Sequence, residues 1–308
     1  RKNRASMSKK PSKLPTTEKR NKKSENIDAL STSQIVKLIN AEDKLVAPAV
    51  GKEYKKIAAA VDMIVERFRK NGRLFYVGAG TSGRLGVLDA SECPPTFGVS
   101  PKLVQGIIAG GKRALVRAVE GAEDKIDDGT AAIKKLKITK NDVVVGIAAC
   151  GLTPFVRAAL KYAQKIGTAT IFITCAPETV NDIPAEIVIN PVVGAEVITG
   201  STRMKAGTAT KLALNTLTTT AMIKMGKVYG NLMVDLKATN NKLRDRSIRI
   251  VSETTGLSKI KSARVLKKAD GKVKPAIVMY YRKTNLPQAL DIIEQNDQSL
   301  RKAIGTTK

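Results

Sequence analysis

The 308-residue chain has no histidine, no tryptophan and only three cysteines, and aromatic side chains make up 4% of it. Without an imidazole there can be no Ser-His-Asp or Cys-His nucleophile and no His-ligated zinc or haem. Acid–base chemistry is left to carboxylates, Lys, Tyr or Cys. Cys93, Cys150 and Cys175 are far apart and form no C-x-x-C. This argues against a cysteine metal site or a disulfide framework and points to a reducing compartment. No stretch of the chain approaches the ~20 apolar residues needed to span a bilayer, so no membrane partner is expected.

Positive charge is what the chain has in excess. Lys and Arg number 54 against 27 Asp and Glu, a net charge of +27. Residues 1–25 carry +8 of it, with ten Lys/Arg against Glu18 and Glu25. This stretch is polar, rich in Ser, Thr and Pro, and reads as a basic flexible tail. It lacks the apolar core of a secretory signal, and the opening Arg suggests a natural start at Met7 or upstream. The other residues still hold +19. A basic surface is the footprint of nucleic-acid binders, yet no RNA or DNA module is recognisable and aromatics for base stacking are few. An anionic small molecule needs only a local positive site, so nucleic acid is not the expected partner.

Periodicity supplies the architecture. Ser31 and Gln34 have the spacing of a capping box. Ile57, Ala60, Val61, Ile64, Val65 and Phe68 mark one helical face, closed by Asn71-Gly72. Leu74–Val77 reads as a buried strand, Gly78–Arg84 as a loop, and a helix follows from about Leu85. Leu103–Ala109 is the next strand, then helical stretches at Ala114–Val119 and from Glu120 to about Leu136. Asp142–Ala149 is a strand, Cys150–Pro154 a second small-residue loop, and a helix runs on to Ile166. Strands at Ala169–Cys175 and Glu186–Asn190 follow. A polar helix opening spans Thr199–Thr208, and a long helix is expected over Met233–Glu253. This alternation predicts an α/β, doubly wound parallel sheet with flanking helices, whose ligands sit at the carboxyl ends of the strands. Residues 254–308 read instead as short amphipathic helices. The expected division is a tail at 1–25, a main domain at 26–253 and a helical module at 254–308.

Two of these loops carry chemistry. Gly78, Gly80 and Gly83 fit a dinucleotide fingerprint, but no acidic residue closes the next strand and no Gly-Lys-Ser/Thr ends a Walker loop. Backbone N–H groups freed by glycine, the hydroxyls of Thr81 and Ser82, and a helix N-terminus suit a terminal phosphate. Ser201-Thr202-Arg203 repeats that pattern. A purely structural reading has the glycines permit a tight turn and Ser82 cap the helix.

Longer runs are more specific. From Gly78 to Thr96 the chain reads Gly-Ala-Gly-Thr-Ser-Gly-Arg-Leu-Gly-Val-Leu-Asp-Ala-Ser-Glu-Cys-Pro-Pro-Thr. With Thr16–Asn21, Ala118–Asp124, Gly200–Thr208, Gly230–Asp235 and Thr239-Asn240, this resembles the N-acetylmuramic acid 6-phosphate etherases over about residues 14–305. The resemblance implies a sugar isomerase-type (SIS) domain with a C-terminal UBA-like helical module, in a cytoplasmic homodimer. It implies a lyase of peptidoglycan recycling that needs no metal or organic cofactor and converts its sugar phosphate substrate to N-acetylglucosamine 6-phosphate and D-lactate. An alkyl ether resists direct hydrolysis, whereas opening the sugar ring exposes an aldehyde that acidifies the C2 proton. A base then removes that proton, lactate leaves from C3 and water adds. The resemblance makes Glu92 and Glu123 the catalytic pair, Glu92 as proton donor; we give the C2 proton to Glu123. Gly80, Thr81, Ser82, Ser201, Thr202 and Lys205 are the expected substrate- and phosphate-binding residues. One departure stands out: the family's usual Ala-Ala-Ser-Gly-Arg-Thr-Pro is here Ala-Ala-Cys150-Gly-Leu152-Thr-Pro, which weakens a hydrogen-bond donor and removes a cation. Cys150 reads as a small apolar filler or a reactive thiol. The alternative function is a non-catalytic SIS-type sugar-phosphate-binding regulator.

Overall fold

The computed structural model describes residues 14–236 and 241–305. Residues 1–13 of the expected tail, and Thr239-Asn240, lie outside the described residues. The chain divides into two compact units. One takes the chain through Ala60, then Leu74–Val87 and Gly106–Leu214; the other takes Val61–Arg73, Leu88–Gln105 and the chain from Asn215 onward.

In chain order the elements through the first unit are α1 (Thr32–Asp43), α2 (Val46–Lys52), α3 (Tyr54–Arg69), β1 (Leu74–Gly78), α4 (Gly80–Phe97), β2 (Val104–Ile108), α5 (Ile126–Lys135), β3 (Val143–Ile147), α6 (Pro154–Lys165), β4 (Ala169–Ile173), β5 (Ile187–Ile189) and α7 (Lys205–Lys224). The unit boundaries fall within α3, α4, β2 and α7. The sheet order is β2-β1-β3-β4-β5. The pairs β1–β3, β3–β4 and β4–β5 are parallel. Every residue of β1, β3 and β4 is buried, which explains their unbroken apolar runs: both faces of a parallel sheet are covered. Phe75, Val144 and Phe172 share one cluster with Ile133 of α5 and Val156 and Leu160 of α6. From β1 the chain runs outward to β2 and returns to β3, so the crevice between the carboxyl ends of β1 and β3 is the topological switch point where such sheets bind ligands.

The expected pattern holds for the strands and differs at several joins. Helix α4 starts at Gly80 rather than near Leu85. A Cβ on Gly78 would stand 2.6 Å from the Gly83 nitrogen, and one on Gly83 2.6 Å from Ile108. The glycines therefore let the first turn of α4 sit directly on the strand ends. Gly111–Leu115 is a 3-10 turn, not part of a helix over 114–119. Glu123 lies on a separate 3-10 turn, Ala122–Asp124, ahead of α5. Within the expected tail, Thr16–Glu18 and Lys22–Ser24 are 3-10 turns, held by hydrogen bonds described below.

In the second unit β6 (Val228–Tyr229) and β7 (Leu232–Met233) form a hairpin, so Met233 is in a strand and not at the start of the expected long helix, of which residues 237–240 lie outside the described residues. Helices α8 (Asn241–Thr255), α9 (Lys259–Lys268), α10 (Val273–Arg282), α11 (Leu286–Gln295) and α12 (Leu300–Ile304) follow. Val273, Ala276, Ile277, Ala289, Ile293 and Ala303 form their core, and α8, which starts ahead of the expected 253/254 boundary, buries Ile250 and Val251 in it. No helix among the described residues is long and apolar enough to cross a membrane. Lys274 is buried, and its ammonium donates to the Gly226 carbonyl at 2.8 Å, Asp235 at 2.6 Å and the Gln298 carbonyl at 3.0 Å. Burial pulls its pKa down while Asp235 opposes that shift. Lys274→Met strands three acceptors, and the expected loss is about 3 kcal/mol. A lowered urea midpoint at unchanged slope would register it; an unchanged midpoint would show that this ammonium stabilises nothing.

Candidate active site

Two helix starts meet at the carboxyl edge of the sheet. Thr81 and Ser82 are in the first turn of α4, both half-buried, after Gly80 at φ +52°. Ser201 and Thr202 lead into α7. A Cβ on Gly207 would stand 3.4 Å from the Thr202 carbonyl oxygen and 3.5 Å from the Thr81 methyl. The two helix starts are thereby brought side by side, and their N–H groups and dipoles favour an anion.

The start of α7 is fixed by buried carboxylates. Glu196 accepts from the Lys205 and Ala206 backbone N–H groups at 3.0 and 2.9 Å. Burial pushes its pKa up, against the pull of those donors. Lys205, expected at the phosphate, is 2% exposed and donates its ammonium to Glu42 at 2.6 Å. Glu42 also accepts from Lys23 at 2.9 Å and Asn21 at 2.9 Å. Burial opposes its ionisation, but the Lys205 and Lys23 hydrogen bonds and the Lys205 charge outweigh it and hold the pKa at about 2. Glu178 acts likewise: its carboxylate accepts from the Thr16 N–H and hydroxyl and from Lys19 at 3.0, 2.6 and 3.0 Å. Those bonds overcome its burial and bring its pKa to about 2. The N-terminal segment 16–24 is tied at one end to Glu178, in the turn after β4, and at the other to Glu42 of α1.

Glu123 faces α4. Together with Gly80, Arg84, Ala109 and Gly121 it lines a cavity of about 170 Å³. Arg84 secures the far wall, donating to the Leu115 and Arg117 carbonyls at 3.1 and 3.4 Å. Ala122 is buried in the core and anchors the turn that exposes Glu123. Glu92 is also exposed, but does not line that cavity. It is ten residues beyond Ser82 on the same helix, about 15 Å of axis at 1.5 Å per residue.

The second loop follows β3. Its Gly151 has φ +74° and passes so close to Thr179 that no side chain fits. Arg157 donates to the Gly151 carbonyl at 3.0 Å and also to the Asp182 carbonyl. Leu152 is exposed. Burial pushes the Cys150 thiol up, and the Glu18 and Glu123 charges add to it, against the Leu152 N–H.

The chain has relatives that match it over nearly its whole length. The chain is 54% identical over 289 residues to the N-acetylmuramic acid 6-phosphate etherase of Clostridium beijerinckii, covering 94% of this chain and 95% of that one. It is 52% identical over 291 residues to the etherase of Rhodopirellula baltica, covering 94% and 96%. The chain belongs to the N-acetylmuramic acid 6-phosphate etherase family. Residues 56–164 of this etherase-family chain also match the glucokinase regulatory protein N-terminal SIS domain. Among solved structures, phosphoheptose isomerase from Neisseria gonorrhoeae aligns at TM-score 0.49 and 15% identity, over 62% of this chain and 98% of that one.

Sequence reasoning missed Glu42, Glu178 and Glu196. None of them belongs to a motif singled out in the sequence, and only the fold supplies its partner. Glu42→Ala leaves the Lys205 ammonium buried without a counter-charge, for an expected loss of about 3 kcal/mol. Glu42 and Glu178 titrate lower folded than unfolded, so their contribution is complete above pH 4.5 and disappears as pH falls toward 2. Denaturation midpoints measured from pH 5 to 2 should drop less steeply for Glu178→Gln than for wild type. Parallel curves would remove Glu178 from the acid response.

Proposed function

We propose that this chain cleaves the D-lactyl ether of N-acetylmuramic acid 6-phosphate, giving N-acetylglucosamine 6-phosphate and D-lactate. The meeting of the two hydroxyl-bearing helix starts, with Glu123 on a cavity against one of them, carries the reading. The 6-phosphate is bound by the first-turn N–H groups of α4, the hydroxyls of Thr81, Ser82, Ser201 and Thr202, and the positive ends of α4 and α7. Gly80 lets the sugar approach the backbone. Lys205 acts indirectly, by fixing the start of α7 through Glu42.

Ring opening turns C1 into an aldehyde and acidifies the C2 proton. Glu123 takes that proton, and the C3–O bond breaks with its electron pair going to the lactate oxygen, which Glu92 protonates. Water adds at C3 and a proton returns to C2, restoring the sugar. General acid–base steps of this kind contribute about 10²–10⁴-fold each, and carboxylates suffice in a chain without histidine. The enzyme acts in the cytoplasm as a homodimer that covers exposed apolar side chains such as Val36, Tyr54 and Val116. The regulator reading is not favoured, because relatives matched over the whole chain are etherases.

Purified protein should release D-lactate and N-acetylglucosamine 6-phosphate in equal amounts, with deuterium entering C2 in heavy water. Glu92→Gln and Glu123→Gln should each lower turnover by at least about 10²-fold while folding normally. Lactate release undiminished in both variants would overturn the assignment of the pair.

A further inference from the structure

The etherase substrate carries a second anion besides the 6-phosphate, the carboxylate of its lactyl group. That group is attached at C3 through the ether oxygen, so it lies close to the C2 proton that Glu123 takes. The cavity bordered by Glu123, at about 170 Å³, is well below the ~300 Å³ of a drug-sized site and suits a substituent rather than a whole sugar. Ala79, Ala109, Ala114 and Ala118 give it a wall of small apolar side chains, fit for the lactyl methyl. Glu120 borders it together with Glu123, so a carboxylate entering unaided would meet like charge. Arg84 is the one basic residue in the lining. Its Nε and Nη2 atoms donate to the Leu115 and Arg117 carbonyls at 3.1 and 3.4 Å, which occupies one edge of the guanidinium. Those acceptors carry no net charge and leave the cation unneutralised. The Nη1–Nη2 edge has no partner among the described residues, and Arg84 forms an ion pair with neither Glu120 nor Glu123.

Building on the etherase reading, we infer that Arg84 recognises the lactyl carboxylate and so selects the ether over the same sugar phosphate without it. The two N–H groups of the open edge are parallel and match the two oxygens of a carboxylate, a geometry that arginine offers and lysine does not. The carbonyls of Leu115 and Arg117 hold the guanidinium in place beforehand, so little side-chain freedom is lost when the substrate arrives. The contact neutralises the second anion beside two glutamates and directs the ether toward Glu123. It is present before and during the C2 deprotonation alike, so it acts on KM more than on kcat. Arg84 makes and breaks no covalent bond, and the carboxylate departs with D-lactate.

The test measures lactate release by wild type, Arg84→Gln and Arg84→Lys, together with inhibition by N-acetylglucosamine 6-phosphate, which has the phosphate and no lactyl group. Arg84→Gln should raise KM for N-acetylmuramic acid 6-phosphate by about 10²-fold and leave the inhibition constant unchanged, which is also its folding control. Arg84→Lys keeps the charge without the fork and should fall between the two. Wild type should favour the free acid over its lactyl amide by about the same factor, a comparison that needs no variant. An unchanged KM in Arg84→Gln, an equal loss of affinity for N-acetylglucosamine 6-phosphate, or equal turnover of acid and amide overturns the role of Arg84 alone. Wild-type protein that releases no lactate from the free acid overturns the etherase reading and this inference with it.

Discussion

The buried ion pair between Glu42 and Lys205 holds the start of α7 in place, and much of the site is arranged around it. Taking a carboxylate and an ammonium out of water is costly, and their attraction compensates only when the remaining lone pairs and protons are also bonded. Here Glu42 gains Lys23 and Asn21, while Glu196 receives the two backbone N–H groups at the head of the helix. The network couples the N-terminal segment, α1 and α7. Ser201 and Thr202 precede a helix whose first residue cannot shift without breaking a buried charge pair.

Sheet order decides where that helix start is useful. Parallel strands bring their carboxyl ends to one edge, and the return from β2 to β3 opens a crevice beside β1. Small residues keep the crevice open: Gly78 and Gly83 let α4 begin on the strand ends, and Ala79, Ala109 and Ala114 line the cavity without filling it. Negative charge then enters from a turn rather than from the sheet. Glu123 stands on one anchored by a buried alanine. On the proposed reading the Lys205 charge is taken up by Glu42 and one edge of the Arg84 guanidinium by the Leu115 and Arg117 carbonyls. Helix dipoles, hydroxyls, the exposed Arg203 beside Thr202 and the general positive field of a +27 chain are then what attract the phosphate.

Much of this was legible in the amino acids. Continuous apolar runs such as Val143–Val145 could only be strands covered on both faces, and Ser31 with Gln34 formed the capping box their spacing predicted. Asn71, placed as a helix stop, adopts φ +59°. Composition excluded imidazole chemistry outright, and the long runs around Gly78 and Gly200 indicated the family. Those readings rest on local periodicity, on residue inventory and on contiguous sequence, all of which exist before the chain folds.

What required the tertiary structure was every pairing between distant residues. Glu42 and Lys205 are separated by 163 positions, and Thr16 and Glu178 by 162. Neither partner carries a mark in sequence, because a polar side chain becomes a buried anchor only when the fold removes its water. The same holds for the start of α4: Gly80–Arg84 resembles a loop until Gly78, Gly83 and Ile108 are seen to touch, and contact distance is a property of the packed state. Sequence determined which chemical groups the protein could use; folding determined which of them retained solvent, which became structural charges, and which stood free at the edge where a substrate arrives.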